Sequence, residues 1–296
     1  MRMISSLSKI FITIATAGTL CSSIAAEQKI VLIAGRPSHG PGEHEHNAGV
    51  QLFKKCLANV PGIQVETHSN GWPTNENALE GAAAVLFYCD GGAGHPALQG
   101  ERLQQLDALR AKGTGFLCVH YGVEPTKEKG QKEFISWIGG CFETHWSVNP
   151  HWEPEFKNFP VHPITRGVKP FQMRDEWYYH MRFAEDMKGV TPILSAVPSA
   201  ETLTRPDGPH SGNPHVRQAV EKGEPQHVAW AYEEGGKRGF GFTGGHFHKN
   251  WGNENMRKLM LNAILWVAKV EVPANGVEST ITEEDLTQNL DQKRRR

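Results

Sequence analysis

Three continuous apolar runs constrain this chain more than anything else in it: KIVLIAG (29–35), AAAVLFYCD (82–90) and GTGFLCVHYG (113–122). Runs without a polar face read as strands buried on both sides, the usual mark of a parallel sheet. Helical patterns separate them. NAGVQLFKKCLANV (47–60) spaces Val50, Phe53 and Leu57 along one face and stops at Pro61-Gly62, and 97–112 is amphipathic and ends at Gly113. IQVETHS (63–69) alternates like a strand. This β-α-β-α-β order predicts an α/β fold: a parallel sheet with helices on both faces. Such sheets hold ligands beyond the carboxyl ends of their strands. The loops carrying His39, His44, Asp90 and His120 all leave those ends.

The pattern changes near residue 131. QKEFISWIGGCFE (131–143) reads as helix, and the Pro-, Trp- and His-rich stretch that follows reads as loops and short strands. EWYYHMRFA (176–184) and TPILSAV (191–197) read as strands of a mixed β extension, and 205–217 is a turn-rich loop. HVAWAYEEGGKRGFGFTGG (227–245) is a hairpin, ENMRKLMLNAILWVAKV (254–270) an amphipathic closing helix. Beyond Pro273 the chain turns polar, with one helical turn expected after a capping Thr282.

Residues 1–26 stand apart. Arg2 and Lys9 precede an apolar stretch and a small-residue site near Ala25, the layout of a secretory signal. The expected organisation is a signal peptide over 1–26, one domain over 27–273 and a polar tail over 274–296. The expected location is exported, periplasmic or secreted, with no membrane span after cleavage. A formal net charge of −1 leaves no nucleic-acid footprint. Cys56, Cys89, Cys118 and Cys141 lie in apolar segments without CxxC spacing, so buried free thiols are expected, one disulfide being the alternative.

The chain holds 15 histidines but 5 tyrosines. SHGPGEHEHN (38–47) gathers His39, Glu43, His44 and His46 on one loop; imidazoles beside carboxylates suit a divalent ion, zinc among them, or acid–base work. The bland alternative is a solvated loop. Metal ligands are expected from His39, Glu43, His44, His120 and His246. His120 closes a central strand, as either a core histidine or a catalytic one. In DEWYYHM (175–181) a strand would put Glu176, Tyr178 and His180 on one face, as catalytic residues or as a half-exposed edge. TGGHFHKNW (243–251) aims His246 over the sheet and adds His248 and Trp251. HWSVNPHW (145–152) adds His145, Asn149, His151 and Trp152. With Tyr121 and Trp177, residues Asn149, His151, Trp152, His248 and Trp251 form a set suited to holding a sugar, although core packing is the simpler fate of any one aromatic. No GxGxxG follows the first strand, and Walker, HExxH and GxSxG patterns are absent, so no nucleotide cofactor is expected.

The segments IAGRPSHGPGEHEHNAG, LCVHYGVE, HPITRGVKPF…DEWYYHMRF and GFGFTGGHFHKNW resemble the ThuA-like, trehalose-utilisation family over about residues 29–273. The resemblance implies a flavodoxin-like sheet of the class I glutamine amidotransferase type. In that superfamily the turn after the central strand carries a nucleophilic cysteine and a later strand its histidine partner. Here His120 and His246 fall at those positions, so neither a glutaminase nor a cysteine protease is expected.

The resemblance further implies carbohydrate utilisation, with 3-keto sugars as a substrate class, and a metal site. The leading expectation is a metal-assisted lyase, hydrolase or isomerase acting on a sugar derivative. The alternatives are a saccharide-binding module without catalysis and metal-free chemistry by a His–Glu pair. A sugar is the expected partner, and the stretch from Trp146 to Trp152 is either part of its site or a contact between copies in a homo-oligomer.

Overall fold

The computed structural model describes residues 27–293. The expected signal peptide lies outside the described residues. The chain begins β1 (Gln28–Ala34), α1 (His46–Leu57), β2 (Ile63–His68), β3 (Ala82–Tyr88), α2 (Arg102–Ala111), β4 (Gly115–Val119) and α3 (Gln131–Ile138). Four two-residue strands follow: β5 (Gly140–Cys141), β6 (Glu155–Phe156), β7 (Phe171–Gln172) and β8 (Arg182–Phe183). Then come β9 (Val190–Ala196), α4 (Pro214–Glu221), β10 (Gln226–Glu234), β11 (Lys237–Phe242) and α5 (Glu254–Val267).

The main sheet runs β2-β1-β3-β4-β11-β10-β9. Strands β2, β1, β3, β4 and β11 are parallel, and β10 and β9 extend the sheet antiparallel. This is the flavodoxin-like order with two further strands, β10 and β9, added at one edge through antiparallel pairings and joined to each other through α4. Alternate residues divide between two cores, as the pleat requires. Ile30, Leu32, Leu86, Leu117 and Phe240 pack with α1 and α5. Val31, Ile33, Val85, Phe116 and Cys118 pack with Leu106 of α2 and with Phe134 and Trp137 of α3.

The structure corrects three readings. First, 175–181 is not a strand: it makes isolated bridges through Asp175 and Tyr179, and regular pairing begins only at Arg182. Second, α5 is not amphipathic, because every residue from Met256 to Val267 is buried. Its outer face is covered by Ile164, Val272 and Val277. Asn262 belongs there because its side-chain amide donates to the carbonyls of Ile164 (2.9 Å) and Arg166 (3.0 Å), while its oxygen accepts from the Val277 amide (2.8 Å). Third, the polar stretch after residue 273 packs on the domain, and 283–289 is turn instead of helix. All four described cysteines are free, which leaves the disulfide alternative without support. Among the described residues no helix is long and apolar enough to cross a membrane.

Candidate metal centre

Three loops at the carboxyl ends of the parallel strands, with one segment crossing above them, build a single cluster. His44 lies between β1 and α1, His120 opens the turn after β4, and His246 follows β11. Glu176 descends from the irregular 175–181 segment. His39, His44 and His120 take φ of 58°, 45° and 54°, a left-handed backbone that few non-glycine residues adopt. Such strain persists where the surroundings over-determine it, and it concentrates at functional sites.

Packing fixes each loop. Gly91, after β3, has no room for a side chain, since a Cβ there would lie 2.4 Å from the Tyr121 carbonyl. The β3 loop therefore presses directly on the turn that presents His120. Near His246 a buried carboxylate organises the chain. Asp175 accepts from the amides of Gly245 and His246 (both 3.0 Å), the Asn250 side chain (2.8 Å) and the Glu176 amide (2.7 Å). One side chain thus ties the His246 turn to the Glu176 segment.

The ligand atoms converge closely. His44 Nε2 is 3.0 Å from both His120 Nε2 and His246 Nδ1, and the latter two are 3.3 Å apart. Glu176 Oε2 is 3.2 Å from His246 Nδ1 and 3.5 Å from His120 Nε2. A tetrahedral zinc with Zn–N bonds of about 2.0–2.1 Å spaces its ligands roughly 3.3 Å apart. The spacing therefore fits an ion, and the donor chemistry fits as well. His120 Nδ1 sits 2.8 Å from the Thr243 carbonyl, which only accepts, so Nδ1 carries the hydrogen. His44 Nδ1 likewise donates to Asp90 at 2.7 Å. In the neutral rings both Nε2 atoms then turn lone pairs toward each other. A cation held between those lone pairs would be coordinated by both, and the outer partners match those that orient metal-binding imidazoles.

The electrostatics agree. Burial and then the neighbouring His120 and His39 hold His44 far below the usual histidine range, hence neutral. Burial opposes the charge on Glu176, but the adjacent His120 and His246 imidazoles keep its carboxyl well below the usual range. Burial also opposes a charge on His246, which Glu176, Asp175 and Glu43 nevertheless raise. Tyr178 lies 3.2 Å from His120 Nε2 and 3.4 Å from Glu176, and burial followed by the Glu176 charge pushes its phenol well above the usual value. It stays protonated.

Other expected site residues sort by position. His39 stacks on the His44 ring at 3.5 Å between centroids, and with its Nδ1 4.0 Å from Asp90 it forms with His44 and Asp90 a second, more exposed candidate ligand group beside the first. Glu43 stands 3.7 Å from His246 Nε2 and accepts the Gly40 amide instead. Asn149 donates to Glu176 at 3.1 Å, and His151 lies 4.0 Å from the same carboxylate oxygen. Tyr121 is half-buried beside the cluster, its ring 6.2 Å from that of His44.

The expected site roles of His180, Trp177, Trp251 and His248 fail, and that of Trp152 survives only in part. His180 turns away, stacks on Trp146 and bonds to the Trp146 carbonyl, because the chain there is not an alternating strand. Trp177 and Trp251 are fully buried in the core and present no face to a ligand. His248 is buried and makes no side-chain contact with the cluster. Trp152 is largely buried and donates its indole N–H to the Trp177 carbonyl, keeping only an edge on a neighbouring groove. Reading the sequence did not assign roles to Asp90, Asp175, Thr243 or Arg205. Asp90 ends a buried strand run and Asp175 adjoins Glu176, which were the available signals. Cys118 points into the core, and burial raises its thiol, so it is no nucleophile.

A family model described as ThuA, trehalose utilisation, matches residues 31–267. The chain belongs to the ThuA family. Solved structures agree in fold. A putative ThuA-like protein from Bacteroides uniformis is 14% identical, with a TM-score of 0.56 over 83% of this chain and 93% of its own. A second, from Parabacteroides merdae, is 15% identical, with a TM-score of 0.52 over 87% and 94%. A cytoplasmic protein from Salmonella typhimurium is 13% identical, with a TM-score of 0.51 over 81% and 99%. No curated protein matches by sequence. Family membership carries a carbohydrate-utilisation context; the four-ligand geometry is read from this chain itself.

Proposed function

We propose that this ThuA-family chain is an exported, metal-assisted enzyme of carbohydrate utilisation. It would hold a divalent ion such as zinc through His44, His120, His246 and Glu176. It would act as a lyase, hydrolase or isomerase on a sugar derivative such as a 3-keto-glycoside. The observation that carries this reading is the convergence of three imidazole nitrogens and one carboxylate oxygen, neighbouring distances running from 3.0 to 3.5 Å.

A bound ion would polarise a keto or hydroxyl oxygen of the sugar. The protein groups have separate tasks. Asp90 and the Thr243 carbonyl fix the tautomers of His44 and His120. Tyr178 keeps its proton and can donate it at Oη, beside the cluster. Asn149, itself held by Arg205 at 2.6 Å, steadies Glu176. His151 belongs both to the cluster's rim and to the wall of a groove of about 530 Å³ that Glu153, Arg174 and Glu201 also line. That groove offers room for the rest of a glycoside.

One observation favours a second reading, acid–base chemistry without a metal: the Glu176–His246 contact at 3.2 Å is an ion pair when His246 is charged. A saccharide-binding module without catalysis is less favoured, since two of the tryptophans it would use are core residues. Elemental analysis of protein purified without chelator separates the first two. About one divalent ion per chain, with turnover of a 3-keto-glycoside lost on chelation and restored by the ion, supports the proposal. Metal-free protein with full turnover replaces it by the acid–base reading, and no turnover under any condition defeats both.

A further inference from the structure

The stretch after residue 273 reaches back across the molecule to the loop that carries His44. Thr282 and Asp285 bond reciprocally, and Asp285 pairs with Lys55 of α1. Leu286 packs against the core. Further on, the Asp291 amide donates to Glu45 at 2.8 Å, and the Asn47 side chain donates to Asp291 at 2.7 Å. Lys293, two residues on, has a side chain that is 4% exposed.

The Lys293 ammonium has three donors, and the loop supplies their acceptors. It donates to the Glu43 carbonyl and to the His44 carbonyl at 3.2 Å, and it pairs with Glu45, itself 1% exposed, at 3.3 Å. Glu45 also accepts the Gly42 amide at 2.8 Å, beside the Asp291 amide. Every one of these loop partners lies within two residues of His44. At His44 itself the backbone is left-handed, and its amide bonds to the His246 carbonyl at 2.9 Å. A strained residue keeps its geometry only when neighbours hold it from several sides. Lys293 supplies the side that the sheet and the His246 turn do not reach.

We propose that Lys293 is a positioning residue for the ion site, a latch that holds the 43–45 loop so that His44 Nε2 faces His120 and His246. This rests on reading His44 as a ligand, but the latch itself is a property of the metal-free chain. A buried ammonium is not a decorative contact: it is retained against a desolvation cost, and its removal takes the ion-pair partner from the buried Glu45 carboxylate, which keeps only its backbone amide donors.

The test compares wild-type protein with Lys293→Met and with the double variant Glu45→Gln/Lys293→Met, which removes both buried charges and so protects folding. Amide hydrogen exchange is followed in metal-free protein. Exchange over residues 42–47 at least tenfold faster in the variants, with β3 and β4 protected as before, is the expected result. Unchanged exchange over 42–47 overturns the latch. Zinc affinity is then measured by competition with a chromogenic chelator, and a loss of about 10–100-fold is expected, the size usual for groups that orient ligands. Wild-type affinity in a variant whose loop exchanges faster would overturn the link between latch and site. If wild-type protein takes up no ion, the proposed function fails while the exchange comparison still decides the latch.

Discussion

His44 and His120 face each other through their Nε2 atoms at 3.0 Å, and the opposite nitrogen of each ring already donates, to Asp90 and to the Thr243 carbonyl. Two lone pairs held that close repel unless a proton donor or a positive charge comes between or beside them. On the proposed reading an ion would sit between these lone pairs and relieve their repulsion. Ligand binding to the folded state alone stabilises it by mass action, about 2.7 kcal/mol at a concentration one hundred times the dissociation constant. Zinc at that excess should raise the melting temperature of the metal-free protein. In His44→Ala and His120→Ala the shift should vanish, with ion affinity lower by at least two orders of magnitude in chelator competition. An equal shift in wild type and both variants would place the ion elsewhere.

Asp175 is fully buried and accepts four hydrogen bonds, three of them from backbone amides. Replacing it with alanine leaves buried donors without partners, at about 1–3 kcal/mol for each group that water does not reach. Asp175→Ala should lose roughly 3–5 kcal/mol in urea unfolding, at the large end of single-residue effects. The same variant should bind zinc more weakly, because the His246 turn and Glu176 are no longer tied. A loss under about 1 kcal/mol would mean that water replaces the carboxylate.

The sheet was legible because its central strands β1, β3 and β4 are uninterrupted apolar runs and α1, between two of its strands, keeps one buried face. That His44, His120 and His246 would converge was legible for a related reason: strand ends are fixed by the runs, and functional side chains gather beyond them. Spacing failed where geometry is not regular. Over 175–181 the alternation expected of a strand predicted Glu176, Tyr178 and His180 together, but the backbone turns at His180, whose φ is 57°. Trp177 and Trp251 have the composition of a sugar platform and the burial of core residues, which no local pattern separates. Lys293 was beyond sequence reasoning altogether, since its contact with His44 spans 249 positions.

Tyr178 gives a test of chemistry separate from ion binding. Its hydroxyl is the one neutral proton donor in contact with both His120 and Glu176 among the described residues. Positioned proton donors contribute typically about 10²–10⁴-fold to rate. Tyr178→Phe removes that proton with little change of volume. Turnover of a 3-keto-glycoside should fall by about that factor, while zinc content and substrate affinity stay near wild type. A variant that keeps its turnover would remove Tyr178 from the reaction, and one that loses its ion would make the tyrosine part of the ion's support.

Stability should also carry an acid signature set away from the cluster. His95 is fully buried between the β3 loop and the His120 turn, where it bonds to the Gly122 carbonyl at 3.2 Å and accepts the Ala97 amide at 3.0 Å. Burial lowers its pKa from 6.5 to about 4, the Gly122 hydrogen bond opposing the shift only in part. Between those values the unfolded chain binds the proton and the folded chain does not, so stability rises with pH across that window. The His95 contribution is complete above about pH 6.5 and is lost progressively down to about pH 4, roughly 3 kcal/mol in all. Melting curves of metal-free protein from pH 7.5 to 4 should fall steeply below 6.5, and His95→Gln should flatten that fall even if it starts from a lower melting temperature. An unaltered slope in His95→Gln would assign the acid sensitivity to other buried histidines, of which His46 and His248 are also lowered to about 4 by burial.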